Sequence, residues 1–252
     1  MFENFKYIFF LKFFKKRKKL IWTIKNNLFA NEVCPPSISI VKFSKNTILG
    51  KKNEKMYIVN DSFQSWNIIN DQYYQNEFIK KIKSIINKRI KYDFVDIGAN
   101  IGIMSKCLLN NKIKLSNTYC VEPNQENYFC LKNNLKYYKN VKYFNFALSI
   151  KKENKKLFID KNNMGNLSFY YEMVKRDKLG FMNSPDDYEI IKCESTQKFF
   201  KSIKLKKNII KIDTQGYDEI IFQEIPKSVL KKNQILIIEI TPINEKKINF
   251  SK

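Results

Sequence analysis

A chain of 252 residues has room for one large domain, or for one domain with an appendage. It sets 47 Lys and Arg against 24 Asp and Glu, a formal charge of +23, and contains no histidine. That absence excludes a Ser-His-Asp triad, an HExxH zinc site and a 2-His-1-carboxylate iron site, leaving carboxylates, amides, hydroxyls or a cofactor to carry any chemistry.

In chain order, residues 1–35 form a segment of their own. Phe2, Phe5, Phe9, Phe10, Phe13 and Phe14 precede the cluster Lys15, Lys16, Arg17, Lys18 and Lys19. A basic, aromatic helix of this kind can lie in the headgroup region of an anionic membrane or pack on the domain, so residues 1–30 carry an expectation of peripheral membrane contact. The segment lacks a cleavage site of secretory type, and no apolar run reaches the ~18 residues of a membrane span. Cys34, Pro35 and Pro36 close it. Residues 36–90 read as a hairpin, with β-like patterns at 37–43 and 56–59 around a turn at Gly50, followed by an amphipathic helix over 76–90.

Residues 91–252 alternate short apolar runs, at 94–97, 118–121, 141–146, 209–212 and 235–240, with helical patterns at 101–110 and 124–137. This alternation predicts βαβ units and a parallel, doubly wound sheet. A further strand is expected at 157–159 and a helix at 195–203. Cys107, Cys120 and Cys130 fall among apolar positions and read as buried hydrophobes. Five cysteines without a CxxC pair suit a reducing, cytoplasmic setting.

The run Asp96-Ile97-Gly98-Ala99-Asn100-Ile101-Gly102 ends a strand in a glycine-bearing turn before a helix. Open α/β sheets bind ligands at the carboxyl ends of their strands, where glycine lets backbone approach closely. Glu122 follows twenty residues after Gly102, at the end of the second strand, where a carboxylate can accept both hydroxyls of a ribose. A dinucleotide needs a central glycine against its pyrophosphate; Asn100 stands there instead. S-adenosyl-L-methionine has no phosphate, and Asp96 is placed to face its cationic methionine end.

These residues, with Val121-Glu122-Pro123-Asn124, Asn145-Phe146-Ala147-Leu148-Ser149, Asn166-Leu167-Ser168 and Lys211-Ile212-Asp213-Thr214-Gln215-Gly216-Tyr217-Asp218, resemble in order the blocks of the FkbM family of S-adenosylmethionine-dependent methyltransferases. The resemblance spans about residues 92–240. It implies a class I methyltransferase fold and methyl transfer to a hydroxyl of a sugar, glycan or other small metabolite. It places Asp96, Gly98, Ala99, Asn100 and Gly102 at the methionine end of the cofactor, and Glu122 with Pro123 at the ribose. Asn145, Phe146 and Ala147 would border the adenine, and Asn166, Ser168, Gln215 and Gly216 the acceptor. Asp213 would face the methyl or the acceptor as catalytic base, or else cap the helix that follows it. Glu239, ending the next strand, is the reserve base. No tight carboxylate cluster accompanies Asp213, so no metal is expected.

Two alternatives are an RNA-directed methyltransferase and a non-catalytic cofactor-binding or membrane-surface module. The first is favoured by charge, but Arg17, Arg89 and Arg176 are the only arginines, and arginine is the preferred residue for bidentate phosphate and guanine recognition. The lysine excess, alongside abundant Asn and Ile, reads as codon bias, and no specific nucleic-acid partner is expected. Amino-directed nucleic-acid enzymes also share a D/N-P-P-aromatic block that Asp213-Thr214-Gln215-Gly216 does not match. The second is favoured by the few residues after 240, which suggest a shortened C-terminal strand pair. The acceptor-choosing loop is expected within 162–188; oligomeric state is not legible.

Overall fold

The structure is a computed structural model that describes residues 37–43, 45–60, 75–160, 162–175 and 182–239. The basic aromatic segment 1–35, the Cys34-Pro35-Pro36 break, part of the expected acceptor loop and the expected loss of the last strand pair lie outside the described residues.

The hairpin forms from β1 (Ile38–Lys42) and β2 (Lys55–Val59), which pair antiparallel. Helix α1 (Gln75–Ile85) follows and buries Ile79 and Ile82. It stops short of the expected residue 90, where the backbone N–H of Asn87 turns to the Tyr92 phenol at 3.0 Å. Then come β3 (Tyr92–Ile97), α2 (Ile103–Asn110), β4 (Leu115–Val121), α3 (Gln125–Leu135) and β5 (Val141–Phe144). The chain continues through β6 (Ala147–Ser149), β7 (Glu153–Phe158), α4 (Tyr171–Val174), β8 (Tyr188–Ser195) and α5 (Thr196–Ser202). It returns through β9 (Asn208–Ile212), α6 (Asp218–Glu224), α7 (Lys227–Leu230) and β10 (Asn233–Ile238).

Five strands make one parallel sheet in the order β10-β9-β3-β4-β5, covered on both faces. Because both faces are buried, β3 and β9 read as near-continuous apolar runs rather than alternating ones. Phe94 and Ile209 pack into one core cluster, while Val95, Ile97, Ile210 and Ile212 pack into the other. The strand order reverses between β3 and β9, which opens a crevice at their carboxyl ends. This is the α/β, class I methyltransferase-like architecture expected from the alternation and the resemblance.

The hairpin shares the core of the sheet: Met56, Tyr57 and Leu49 lie in the same cluster as Phe94 and Ile101. Buried Asn134 fastens it by accepting from the Tyr57 backbone N–H at 2.7 Å and donating to the Tyr57 carbonyl at 2.9 Å, as a neighbouring strand would. Buried Lys106 pairs with Glu54 beside it.

A second sheet, β6-β8-β7, joins β6 parallel and β7 antiparallel to β8. The run expected as one strand over 141–146 ends at Phe144, and Asn145 and Phe146 lead out of the first sheet towards β6 in the second. The Asn145 side chain donates to the carbonyls of Glu122 and Pro123, both at 3.0 Å, and turns the chain out of the first sheet.

Candidate functional site

A cavity of about 660 Å³ opens at the carboxyl ends of β3, β4, β9 and β10. Residues just past each strand line it: Gly98 after β3, Glu122 after β4, Asp213 after β9 and Glu239 after β10.

The turn 98–102 leaves β3 through two glycines at positive φ, Gly98 at 71° and Gly102 at 87°, with Asn100 between them at 52°. Glycine is required at 98, since a Cβ there would lie 1.9 Å from the Asp213 carbonyl oxygen. The backbone N–H groups of Gly98 and Ala99 donate to Val121 O, and Gly102 N–H donates to Ala99 O. Asn100 N–H donates to Glu122 Oε2 at 2.8 Å, and Ile101 N–H to Asn100 Oδ1 at 2.6 Å. Every N–H of the turn is engaged within the protein, so it offers none to a phosphate.

Glu122 is 4% exposed, yet it lines the cavity. The backbone N–H of Asn124 holds its other oxygen at 3.0 Å, and the Asn127 side chain lies within hydrogen-bonding reach of the same carboxylate. Burial pushes this carboxyl up to about 7, against the hydrogen bonds from Asn124 and Asn100. Ala99, Pro123, Ala147, Asn166 and Gln215 also line the cavity.

Other expected site residues stand behind the wall. Gly102 faces Leu131 and Leu135, Phe146 packs on Phe144 and Phe199, and Asn145 braces the Glu122 and Pro123 carbonyls. The buried Ser168 hydroxyl donates to Gln215 O at 2.6 Å, positioning that residue rather than facing the cavity. Asn166 donates to Asp160 Oδ2 at 3.1 Å within the loop that forms one wall.

Asp96 is fully buried beneath the turn instead of lining the cavity. Its register partner across β3 and β9 is Lys211, which places the two side chains side by side on one face of the sheet. Ser105 Oγ donates to Asp96 Oδ2 at 2.6 Å, and Lys211 Nζ lies 3.3 Å from Oδ1. The same ammonium lies 3.2 Å from Asp213 Oδ2 and donates to Gly98 O at 2.7 Å. Burial alone would depress Lys211, but Asp213 and Asp96 outweigh it and hold the ammonium above its usual range. The motif around Lys211 gives the residue no role in the sequence, since lysine is almost never fully buried unless paired.

Asp213 does not cap the next helix. The N-cap of that helix, Tyr217, makes no side-chain cap bond, and Asp218 at its first position holds the preceding turn by accepting from the N–H groups of Thr214 at 2.8 Å and Gly216 at 2.9 Å. Asp213 instead meets Lys211 on one side and Gln215 Nε2, at 2.8 Å, on the other. Burial would raise Asp213, but the ammonium and hydrogen bonds from Glu239 and Gln215 bring it below the usual carboxylate range. Burial and then the Asp213 charge push Glu239 up to about 8, and Gln215 Nε2 also donates to it at 2.6 Å. Asn127, absent from the sequence reading, lines the cavity with a buried Oδ1 that has no hydrogen-bond partner among the described residues.

A doubly wound parallel sheet, a strand-end carboxylate and a turn without free N–H groups together define a class I methyltransferase domain. The sequence agrees: the model of the methyltransferase FkbM domain matches residues 96–251, more than half of the chain, which therefore belongs to that family. A solved structure of methyltransferase FkbM from Methylobacillus flagellatus KT is similar at 15% identity and a TM-score of 0.36, over 60% of this chain and 32% of that one. The chain spans about a third of that protein's length. No curated protein matches it.

Proposed function

We propose that this chain transfers a methyl group from S-adenosyl-L-methionine to a hydroxyl oxygen of a sugar, glycan or other small metabolite. The observation that carries the reading is the turn 98–102, whose N–H groups are all engaged while Glu122 is presented beside it. Such a turn suits a nucleoside ligand without phosphate and disfavours a dinucleotide. The cavity of about 660 Å³ is within the ~300–1,000 Å³ of small-molecule sites.

Glu122 would accept the ribose hydroxyls, with Asn127 Oδ1 as a further acceptor. Gly98, Ala99 and Asn100 would form the wall at the methionine end, and Pro123 and Ala147 that at the adenine. When bound, the cofactor supplies a methyl group on a positively charged sulfur. The residues of the chain then have to align an acceptor hydroxyl and take its proton. Alignment of bound reactants can contribute ~7–11 kcal/mol, and a positioned base roughly 10²–10⁴-fold.

In this reading Glu239, rather than Asp213, is the base. Asp213, held ionised by Lys211, is a weak base that fixes the local charge, whereas Glu239 at about 8 is matched to proton transfer near neutrality. Incubation with methyl-labelled S-adenosyl-L-methionine and a panel of sugar and small-metabolite hydroxyls tests the reading. Label should enter an ether in the wild type and fall at least roughly 100-fold in Glu239→Gln. Transfer to nitrogen, or undiminished transfer in that variant, would overturn it.

A further inference from the structure

The five parallel strands run the same way, so their amino ends form one edge of the sheet, opposite the cavity. Each strand is entered through an exposed lysine: Lys91 before β3, Lys114 before β4, Lys139 before β5, Lys207 before β9 and Lys232 before β10. Backbone hydrogen bonds hold these entrances side by side. Tyr92 N–H donates to Lys114 O at 2.9 Å, Asp93 N–H to Lys207 O at 2.9 Å and Asn208 N–H to Lys232 O at 3.2 Å. Exposed Lys112, Lys206 and Lys231 double the row.

The carboxylate at this edge, Asp93, is 1% exposed and already engaged. It accepts from Asn117 Nδ2 at 2.9 Å and from the Lys206 backbone N–H at 2.8 Å. Among the described residues these entrance lysines have no carboxylate within ion-pair distance. Adjacent strands lie ~4.8 Å apart, so the cations crowd a band roughly 20 Å wide. Codon bias accounts for many lysines; it does not account for one at every strand entrance.

Exposed apolar side chains flank the band where two helices reach the same edge. Ile85, at the end of α1, is 53% exposed, and Tyr137, just past α3, is 83% exposed. Cations beside an exposed aliphatic and a tyrosine match a phospholipid surface, where ammonium groups meet headgroup phosphates, Tyr sits at the interface and Ile reaches the acyl boundary. Nucleic acid fits less well: an aliphatic side chain offers a phosphate backbone nothing, and the described residues carry a single arginine, Arg89.

We propose that the amino-end face of the sheet docks on an anionic lipid surface. The crevice then opens away from the lipid, at roughly the 20 Å length of a six-residue strand. The site would receive its acceptor from solution or from a group that projects from the membrane.

Co-sedimentation of the full chain with phosphatidylcholine vesicles, with and without phosphatidylserine, tests the inference at physiological salt. The chain should bind only the anionic vesicles, with an affinity that falls as salt rises. The triple variant Lys114→Gln, Lys207→Gln, Lys232→Gln leaves residues 1–30 intact and should lower that affinity roughly 100-fold, about fivefold per cation. Ile85→Ser with Tyr137→Ser should weaken binding without changing its salt slope. Thermal melts and circular dichroism of each variant establish that it is folded. Wild-type affinity in the folded triple variant would overturn the proposal, as would retention on single-stranded RNA under salt conditions where vesicles are not bound.

Discussion

Lys211 reaches from β9 under the turn after β3 and donates to the Gly98 carbonyl at 2.7 Å. One buried cation thereby ties the turn 98–102 to the strand that carries Asp213, and it is shared between Asp96 and Asp213 on either side. The two carboxylates differ in consequence: Asp96 is a fully buried part of the support, and Asp213 is 39% exposed.

Lys211→Met should therefore destabilise the domain by roughly 3–5 kcal/mol, because it leaves Asp96 buried without its counter-charge. Adding Asp96→Asn should recover part of that loss, a coupling that independent sites would not show. Chemical denaturation of the two single variants and the double variant measures it.

Gly98→Ala places a methyl group 1.9 Å from the Asp213 carbonyl oxygen at a φ of 71°. The backbone cannot yield there without displacing β9. A loss of roughly 3–5 kcal/mol is expected from strain and overpacking together. Gly102→Ala, which meets the movable Leu131 side chain at 2.8 Å, should cost less. Thermal melts of both variants rank them.

Glu122 titrates at about 7 in the folded chain against an ordinary value of 4.5. A raised acid contributes its stability below the unfolded value and loses it as pH rises through the folded one. The wild type should therefore lose stability relative to Glu122→Gln between about pH 4.5 and 7. If the ionised carboxylate receives the ribose diol, affinity for S-adenosylhomocysteine should rise by up to tenfold per unit of pH below about 7 and level off above it. Melts and titrations across that range read both effects.

Methyl transfer should accelerate as pH rises towards about 8, where Glu239 loses its proton, and then level off. Asp213→Asn removes the charge that raises Glu239, so the inflection should move to lower pH. A rate profile with labelled cofactor measures the midpoint in both proteins.

The strands that build the crevice were legible because buried parallel strands are largely apolar, and Gly98, Glu122 and Asp213 were legible because strand ends punctuate those runs. Lys211 was hidden by its type, since its role depends on the register that sets it beside Asp96. Strand β8, Tyr188–Ser195, was missed although its alternation suits a half-buried strand; it pairs with β6 and β7 in a separate sheet, across the loop that intervenes in the chain. The end of β5 was misjudged because Asn145 leaves the sheet for carbonyls of another strand, a long-range bond that no local pattern encodes.

The most direct measurement is calorimetric titration of the chain with S-adenosylhomocysteine, with NAD and the Glu122→Ala variant run in parallel. Stoichiometric binding of S-adenosylhomocysteine, no heat with NAD, and a loss of at least roughly tenfold in the variant are predicted for a phosphate-free nucleoside held by Glu122. Absence of binding by the folded chain, or equal binding of NAD, would contradict it.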